Sequence, residues 1–366
     1  MSAPRLKVES TEFLRLDAIR LFASLCVVAH HWKTLLRLPD LAGPSGIVYP
    51  KLQFLELSVD VFFVISGVII TRVYATRVKD RRSYLQYLVR RIARIYPLHL
   101  LTLLLMAGLY LKGPALGLVV NGDDRVASFL RNVFLVNAWW RFSLSFNIVA
   151  WSISVEWLCY LLFPLMLYLL RRFPWTWIAA CGLPLVLSCC PEWVLFHAFE
   201  FGLLRGLLGF YIGAGAQLHA GELRRLSIHG SIAALLFVVA LCLSLTGISR
   251  THLYVFAFAI PLCALVADLR GKASGFARLV APLSQLTFSI YLWHIPFSIL
   301  MQVGLRHAMR PMVWNSLVVL SVIPLFALCY LSFVAIEDPA RTWISRLTGG
   351  RPSSSPLLRE GAEIAP

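Results

Sequence analysis

Two adjacent histidines lie inside an apolar stretch near the start of the chain. His30 and His31 end the run "LFASLCVVAHH", which directly follows Arg20. Arg20 and His31 are eleven residues apart, so on a helix they share one face about 16 Å apart, while His30 points about 100° away. A histidine held in such a segment can serve as a general base, and His31 is the candidate. The alternative is that both histidines are satisfied groups at a membrane interface, beside Trp32 and Lys33.

Two acidic residues lie at a comparable depth in other apolar segments. Asp60 belongs to "SVDVFFVISGVIITR" and Glu156 to "AWSISVEWLCYLLFP". A carboxylate inside a membrane requires a partner or a polar cavity, because an ionisable group there is costly. Either carboxylate could orient His31 and raise its basicity, so we predict His31, Glu156 and Asp60 as catalytic residues. Purely structural pairing would give the same pattern.

An arginine cluster marks the opposite end of the predicted helices. Arg90, Arg91 and Arg94 fall within two turns of "RRSYLQYLVRRIARIYPLHL", just before Pro97. Guanidinium groups are suited to bidentate phosphate capture, so these residues could hold an anionic donor on the cytoplasmic side. Contact with anionic lipid headgroups is an equal alternative.

Other residues within predicted spans are expected to serve packing. The small residues Ser66 and Gly67 allow close helix approach. His294, in "FSIYLWHIPF", is expected to be a satisfied core histidine. Pro296, two residues later, can kink that helix and free a backbone carbonyl.

The composition indicates a membrane protein of the all-α class. The chain of 366 residues is 59% hydrophobic and 14% charged, little more than half the charge of a soluble domain. Its apolar runs predict a polytopic integral membrane helical bundle of about ten transmembrane helices, at roughly 20 residues per span. The predicted spans lie near 15–34, 56–74, 95–113, 149–170, 174–190, 198–218, 229–247, 252–268, 282–303 and 313–336.

The distribution of basic residues predicts the orientation of these spans. With the spans above, 23 of the 34 Lys and Arg residues fall on the side of the N-terminus, which the positive-inside rule assigns to the cytoplasm. Both termini are then cytoplasmic, and topology explains the net charge of +16 without a nucleic-acid partner. The predicted domains are an N-terminal segment over 1–14, a transmembrane domain over 15–340 and a cytoplasmic, disordered tail over 341–366. We expect no cleaved signal peptide and, from the cysteine and histidine spacing, no metal site.

Six segments resemble, in chain order, the signature blocks of acyltransferase family 3, whose members are bacterial membrane O-acyltransferases. These enzymes modify surface polysaccharides, lipopolysaccharide, peptidoglycan and some secreted small molecules. The resemblance extends over roughly 13–341. The six segments are "LDAIRLFASLCVVAHH", "VDVFFVISGVIIT", "RRIARIYPLH", "WSISVEWLCYLLFP", "FSIYLWHIPF" and "IEDPAR".

The resemblance implies roles for particular residues. The family's arginine–ten residues–histidine element matches Arg20 and His31, with the histidine essential for acyl transfer, and its acidic residue matches Glu156. The family's arginine block matches Arg91, Arg94 and Pro97 and would hold the phosphates of acyl-CoA, so the predicted cofactor-binding residues are Arg20, Arg90, Arg91 and Arg94. Arg205 and Trp151 are the predicted substrate-binding residues, as partners for an oxyanion. The sequence departs from the family pattern at Ser58 and at Leu158–Cys159, which could alter the fit of the acceptor.

The expected activity is therefore acyl transfer, by default of acetyl from acetyl-CoA, with no permanently bound cofactor. The expected acceptor is a hydroxyl of an extracytoplasmic or lipid-linked glycan, such as exopolysaccharide or O-antigen. The expected location is the bacterial inner membrane, with membrane lipids as further partners. Direct attack and an acyl-enzyme both stay open. The alternatives are a transporter or flippase that uses the histidine as a proton relay, although no repeated halves are visible, and a non-catalytic scaffold.

Overall fold

The computed structural model of the protein describes residues 13–36, 52, 54–112, 125–139, 145–189, 202–271, 275–305 and 310–347. Within these ranges the regular elements are all helical. The α-helices are α1 (Leu14–Trp32), α2 (Phe54–Tyr74), α3 (Arg81–Leu111), α4 (Val126–Val133), α5 (Ala150–Arg172), α6 (Trp175–Ser188), α7 (Gly202–Leu218), α8 (Ala220–Leu223), α9 (Ile232–Leu245), α10 (Arg250–Arg270), α11 (Gly275–Val280), α12 (Thr287–Gly304), α13 (Pro311–Leu320), α14 (Val322–Ser332) and α15 (Asp338–Leu347). Two 3₁₀ turns, Lys33–Leu35 and Ala281–Leu286, follow α1 and precede α12, and a π-helical turn, Phe333–Glu337, joins α14 to α15.

The predicted all-helical, multi-pass membrane architecture is confirmed. Six helical stretches of the described chain are long and apolar enough to cross a membrane, with bounds Phe54–Tyr74, Arg81–Leu111, Ala150–Arg172, Arg250–Arg270, Gly275–Gly304 and Pro311–Ile344. Helices α6 and α9 are apolar but have only 14 residues each. The total of about ten spans and the cytoplasmic placement of both termini stay predictions.

The two terminal segments of the predicted domain scheme lie largely outside the described residues. Residues 1–12 and 348–366 belong to this part of the chain. Residues 341–347, which the domain scheme assigns to the tail, instead continue α15. One reason is that Arg341 is ion-paired with Glu337 one turn earlier, at 3.1 Å.

Helix α2 lies at the centre of the bundle and approaches α7 very closely. An added Cβ at Gly67 would overlap the backbone carbonyl of Phe210, and one at Gly213 would overlap the carbonyl of Val64. Small residues at helix interfaces let two backbones approach, which is a common way to pack helices inside a membrane. The packing role predicted for Gly67 is thus confirmed.

Polar contacts fix the two ends of α1 to distant helices. At its N-terminus the Asp268 carboxylate of α10 accepts the N–H groups of Arg15 and Leu16, each at 3.1 Å. Near its C-terminus the Trp32 indole N–H donates to the carbonyl of His294 at 3.1 Å. These contacts set the register of α1 against α10 and α12.

Pro296 lies inside α12, and the freed backbone carbonyl that it predicts is observed. Because proline has no N–H, the carbonyl of Leu292 one turn earlier loses its helical donor. The side-chain amide of Asn147, just before α5, donates to this carbonyl at 3.0 Å. The freed carbonyl is therefore satisfied by a neighbouring segment, which also ties the chain before α5 to α12.

The two ends of the bundle carry different polar residues, and we call them the arginine end and the histidine end. The arginine end contains the start of α1, the end of α2 and the first half of α3 with Arg91 and Arg94. The histidine end contains His31, the start of α2 and the start of α10, where Arg250 is ion-paired with Glu56 at 2.9 Å.

Gly67 is tightly packed and Gly108 is not, so the same Gly→Ala change should affect protein stability differently at the two positions. Gly67→Ala should lower the thermal unfolding midpoint of the detergent-purified protein, because the methyl group meets the α7 backbone. The matched control is Gly108→Ala on α3, where a Cβ meets nothing within 4 Å. That substitution should leave the midpoint unchanged or raise it slightly, since alanine favours a helix by up to about 1 kcal/mol over glycine. Equal midpoints for the two variants would contradict the packing.

Candidate active site

A cavity of about 120 Å³ lies between α2, α3, α5 and α12, beside α1. Its basic residues are Arg20, Arg91 and Arg94, and the acidic residue in its described lining is Glu156. Most of the remaining lining is apolar. The cavity thus joins a positively charged region to a single carboxylate through apolar walls.

The arginines that line the cavity keep hydrogen-bond donors available. Arg91 donates from Nη2 to the hydroxyl of Tyr74 at 2.9 Å and lies over its ring. Its Nε and the Nη1 of Arg94 are buried without an acceptor among the residues that the structure describes. Buried donors are normally paired, so such groups suit an anionic ligand.

Arg20 approaches the same cavity from α1. It is ion-paired with Asp17 at 3.1 Å and donates to the Ser284 hydroxyl at 3.0 Å. Of the four predicted cofactor-binding arginines, Arg20, Arg91 and Arg94 therefore line one cavity. Arg90 instead lines a second pocket at the arginine end.

Glu156 is held by two hydroxyl groups. Ser66 of α2 donates to its Oε1 at 2.7 Å, and Tyr160, one turn later on α5, donates to the same oxygen at 2.5 Å. From the sequence, Ser66 is predicted to serve helix packing, and Tyr160 is not among the predicted site residues. The four-residue spacing of Glu156 and Tyr160 was the available signal, since residues so spaced are neighbours on a helix.

His31 is paired with another histidine. Its Nδ1 lies 3.0 Å from the carbonyl of Val27 and 3.4 Å from Nε2 of His294. His294 is fully buried, and its own Nδ1 lies 3.1 Å from the carbonyl of Ile290. We refer to His31 and His294 as the histidine pair.

These contacts assign the tautomer of both rings. A carbonyl oxygen only accepts, so in the neutral rings Nδ1 carries the hydrogen and Nε2 is the acceptor. The lone pair of His294 Nε2 then faces the Nδ1–H of His31. The Nε2 of His31 has no hydrogen-bond partner among the described residues, and the side chain is only half-buried. His31 Nε2 is therefore held in a fixed orientation and keeps a lone pair that no described group uses.

Asp60 is fully buried and ion-paired with Arg205 of α7. The Arg205 Nε donates to Asp60 at 3.1 Å, and its Nη2 contacts the other carboxylate oxygen. Arg205 also lies over the ring of Tyr254, 5.8 Å from its centroid. Neither member of the pair lines the cavity.

The expected contact between His31 and a carboxylate does not occur among the described residues. Asp60 is neutralised by Arg205, and Glu156 is occupied by Ser66 and Tyr160. The histidine pair replaces this contact. Trp151, the other predicted substrate-binding residue, packs against Phe63 with ring centroids 6.2 Å apart and does not line the cavity.

One aromatic residue of the cavity lining also contacts the histidine pair. Tyr291 lines the cavity, and its ring centroid lies 6.0 Å from that of His294. Its hydroxyl lies 2.7 Å from the Ser152 hydroxyl and donates to the carbonyl of Val149 at 3.1 Å. Tyr291 thus lies beside both the cavity and the histidine pair.

The Asp60–Arg205 pair predicts a non-additive stability effect. Asp60→Leu leaves a buried guanidinium without its carboxylate and should destabilise the protein by about 3–5 kcal/mol. Arg205→Leu should have a comparable effect. The double variant removes both charges and should be more stable than either single variant. Thermal unfolding midpoints in one detergent measure all four proteins, and additive losses would contradict a coupled pair.

The sequence of the chain matches a known protein family. The sequence profile of an acyltransferase domain, that of acyltransferase family 3, matches residues 13–334. Acyltransferase MdmB of Streptomyces mycarofaciens is 31% identical over 181 residues, which are 48% of this chain and 45% of that protein. Peptidoglycan O-acetyltransferase OatA of Listeria monocytogenes is 24% identical over 373 residues, covering 89% of this chain and 55% of that protein. O-acetyltransferase OatA of Staphylococcus aureus is 32% identical over 173 residues, covering 43% of this chain and 25% of that protein.

The matched regions span about half the length of the first two relatives and a quarter of the third. No solved structure matches the chain. The family profile, in contrast, extends over nearly the whole sequence and includes the cavity, the arginines and the histidine pair. The protein is a member of acyltransferase family 3.

Proposed function

We propose that the protein is a membrane O-acyltransferase that transfers an acyl group, acetyl by default, from acyl-CoA to a hydroxyl of a glycan. One observation carries the proposal. A cavity with available arginine donors lies beside Tyr291, whose ring is in turn next to His294 of the histidine pair that orients His31. Relatives that are named O-acetyltransferases support the same chemistry.

The donor enters from the arginine end in this proposal. The phosphates of acyl-CoA are anionic and suit Arg91 and Arg94, with Arg20 beside them. The pantetheine arm is uncharged and narrow, which suits the apolar walls that lead to Glu156. Glu156 fixes the hydroxyls of Ser66 and Tyr160 along this route, so its proposed role lies on the donor path. Acyl-CoA is here a substrate, and no permanently bound cofactor is proposed.

The chemistry proceeds at His31. The acceptor hydroxyl loses its proton to His31 Nε2 while its oxygen forms a bond to the thioester carbonyl carbon. The carbon–sulfur bond then breaks, and the proton on His31 passes to the departing thiolate, which gives an ester and free CoA. His294 accepts the Nδ1–H of His31 and holds the ring with Nε2 towards the acceptor. Because Tyr291 lies beside both the cavity and His294, we expect its ring to move during this transfer.

The acceptor enters from the histidine end. His31 is half-buried there, close to the ion pair of Glu56 and Arg250. We assign the arginine end to the cytoplasm, where acyl-CoA is available, and the histidine end to the outer side of a bacterial inner membrane. A glycan hydroxyl fits this arrangement, and the Listeria relative is named for peptidoglycan O-acetylation. Exopolysaccharide, O-antigen or a lipid-linked glycan intermediate would meet His31 in the same way.

The decisive experiment compares the two adjacent histidines. A deletion strain receives the wild-type gene, His31→Ala or His30→Ala, and mass spectrometry measures acetyl esters on its envelope glycans. Wild type and His30→Ala should restore the ester, because the His30 ring packs edge-on against His31, with centroids 5.0 Å apart, but makes no hydrogen bond to it. His31→Ala should lose at least about 100-fold of the activity, as expected when a general base is removed.

Immunoblots of the membrane fraction must show equal amounts of the three proteins. Restoration by His31→Ala would refute the role of His31 as base. Unchanged glycans in every strain would count against a glycan acceptor and favour transport.

The histidine pair yields a second kinetic prediction. His294→Leu removes one of the two acceptors near the His31 Nδ1–H, leaving the Val27 carbonyl, and should lower kcat about 100-fold through misplacement of the base. The KM for acetyl-CoA should change little, since His294 does not line the donor cavity. His294→Gln keeps a side-chain acceptor and should recover part of kcat. Equal kcat for the Leu and Gln variants, or a change confined to KM, would exclude this positioning role.

A further inference from the structure

The part of the cavity nearest the histidine pair is lined by uncharged side chains. On α2 and α5 these residues come before Ser66 and Glu156, and Tyr291 of the same group lies beside His294. We call the group the end wall. Its members are Val59, Phe62 and Phe63 of α2, Ser152 and Ile153 of α5, and Tyr291 of α12.

The polar atoms of the end wall already have partners. The hydroxyl of Ser152 lies 2.7 Å from that of Tyr291, which also donates to the carbonyl of Val149 at 3.1 Å. The ring of Phe62 packs edge-on against the ring of Tyr291, with centroids 6.0 Å apart. The end wall therefore offers a ligand mainly hydrocarbon and aromatic surface.

The helix that carries Phe62 has no room to move away from the cavity. Val64 is two residues from Phe62 and therefore about 200° around α2. On that side α2 meets the backbone of α7 at Gly67 and Gly213, where even an added Cβ would overlap a carbonyl. Close-packed interiors resist such displacement. A ligand that presses on Phe62 would thus press α2 against α7.

We propose that the end wall receives the acyl group of the donor and admits only short, uncharged acyl groups, with Phe62 limiting their length. This inference rests on the proposed acyl-CoA donor. With its phosphates at Arg91 and Arg94, the arm of the donor passes Glu156 before its acyl end meets the end wall. The acyl group is the terminal part of the donor, so the side chains at this end of the cavity decide which acyl groups fit.

The chemistry of the end wall excludes acyl groups that carry a carboxylate. A buried carboxylate needs a cation or several hydrogen-bond donors. The six residues supply no cation, and their two hydroxyls are already paired. The next lining residue along α5 is Glu156, which would repel a second carboxylate.

The packing of Phe62 excludes longer hydrocarbon chains. Extra methylene groups forced into a packed space displace side chains and backbone at a free-energy cost. Tyr291 is expected to move during transfer, whereas Phe62 lies on a helix held against α7. Phe62 is therefore the aromatic residue of the end wall that sets the limit.

The test compares three donors on the full-length protein in nanodiscs of zwitterionic lipid. Isothermal titration calorimetry measures the Kd of acetyl-CoA, butyryl-CoA and succinyl-CoA, of which the last two have acyl chains of equal carbon number. Wild type should bind butyryl-CoA at least about 10-fold more weakly than acetyl-CoA, the lower end of the discrimination expected for one added methylene group. Phe62→Ala should bring these two Kd values close together, and Phe62→Leu should give an intermediate ratio. Succinyl-CoA should stay weakly bound to all three proteins.

The matched control is Phe288→Ala. Phe288 is also half-buried and lines the same cavity, but it lies next to Arg94 at the arginine end. This variant should weaken all three donors together and keep the wild-type ratio of butyryl-CoA to acetyl-CoA. Thermal unfolding midpoints confirm that each variant is folded, and the smaller Phe62→Leu change provides a measurement if Phe62→Ala does not fold.

Three results would overturn the proposal. The first is equal binding of acetyl-CoA and butyryl-CoA to wild type. The second is a ratio that Phe62 substitution leaves unchanged or that Phe288→Ala changes equally. The third is binding of succinyl-CoA to Phe62→Ala as tight as that of butyryl-CoA.

The same measurements separate this inference from the proposed function. If folded wild-type protein binds every donor with the same Kd, acyl-CoA remains the donor and only the role of the end wall fails. If it binds none of them, the acyl-CoA donor itself fails.

Discussion

The structure depends on how an apolar helical bundle accommodates charged side chains. Inside such a bundle an ionisable group is costly unless a partner is present. Asp60 with Arg205, Asp268 with Arg15 and Glu337 with Arg341 satisfy this requirement between or along helices. Arg91 and Arg94 differ, because each keeps a buried donor without an acceptor in the described chain. The first group holds the bundle together, and the second is where we propose that the anionic donor binds.

The histidine pair orients His31 inside the apolar bundle without a carboxylate partner. A carboxylate partner for His31 would place a buried negative charge beside the imidazole. A neutral imidazole provides a second acceptor for the His31 Nδ1–H, beside the carbonyl of Val27, and adds no charge. His294 lies two residues before Pro296 on α12, and Asn147 satisfies the Leu292 carbonyl that this proline frees. The orientation of the base therefore depends on three segments distant in sequence.

Local sequence information predicts the helices and which residues share a helix face. It does not predict which polar side chains pair between helices. Helical periodicity places Arg20 and His31 on one face of α1, and proline chemistry explains the carbonyl freed by Pro296. The partners of the charged and polar groups cannot be predicted in this way, because they are distant in sequence. Asp60 and Arg205 are 145 residues apart, and His31 and His294 are 263 apart. Depth in the membrane suggested that Glu156 and Asp60 were available to His31. Only the packing of α2 against α5 and α7 shows that both are already engaged, so the roles of these residues stay predictions.

The central claim is that one route connects the arginines to the base, and a bound donor tests it most directly. Cryo-electron microscopy of the protein with a non-transferable thioether analogue of acetyl-CoA would locate the whole ligand. The account predicts the pyrophosphate at Arg91 and Arg94, the arm beside Ser66 and Glu156, and the acyl end at a displaced Tyr291 within reach of His31 Nε2. An analogue that binds at the histidine end, or whose acyl end stops at Glu156 with Tyr291 in place, would contradict it.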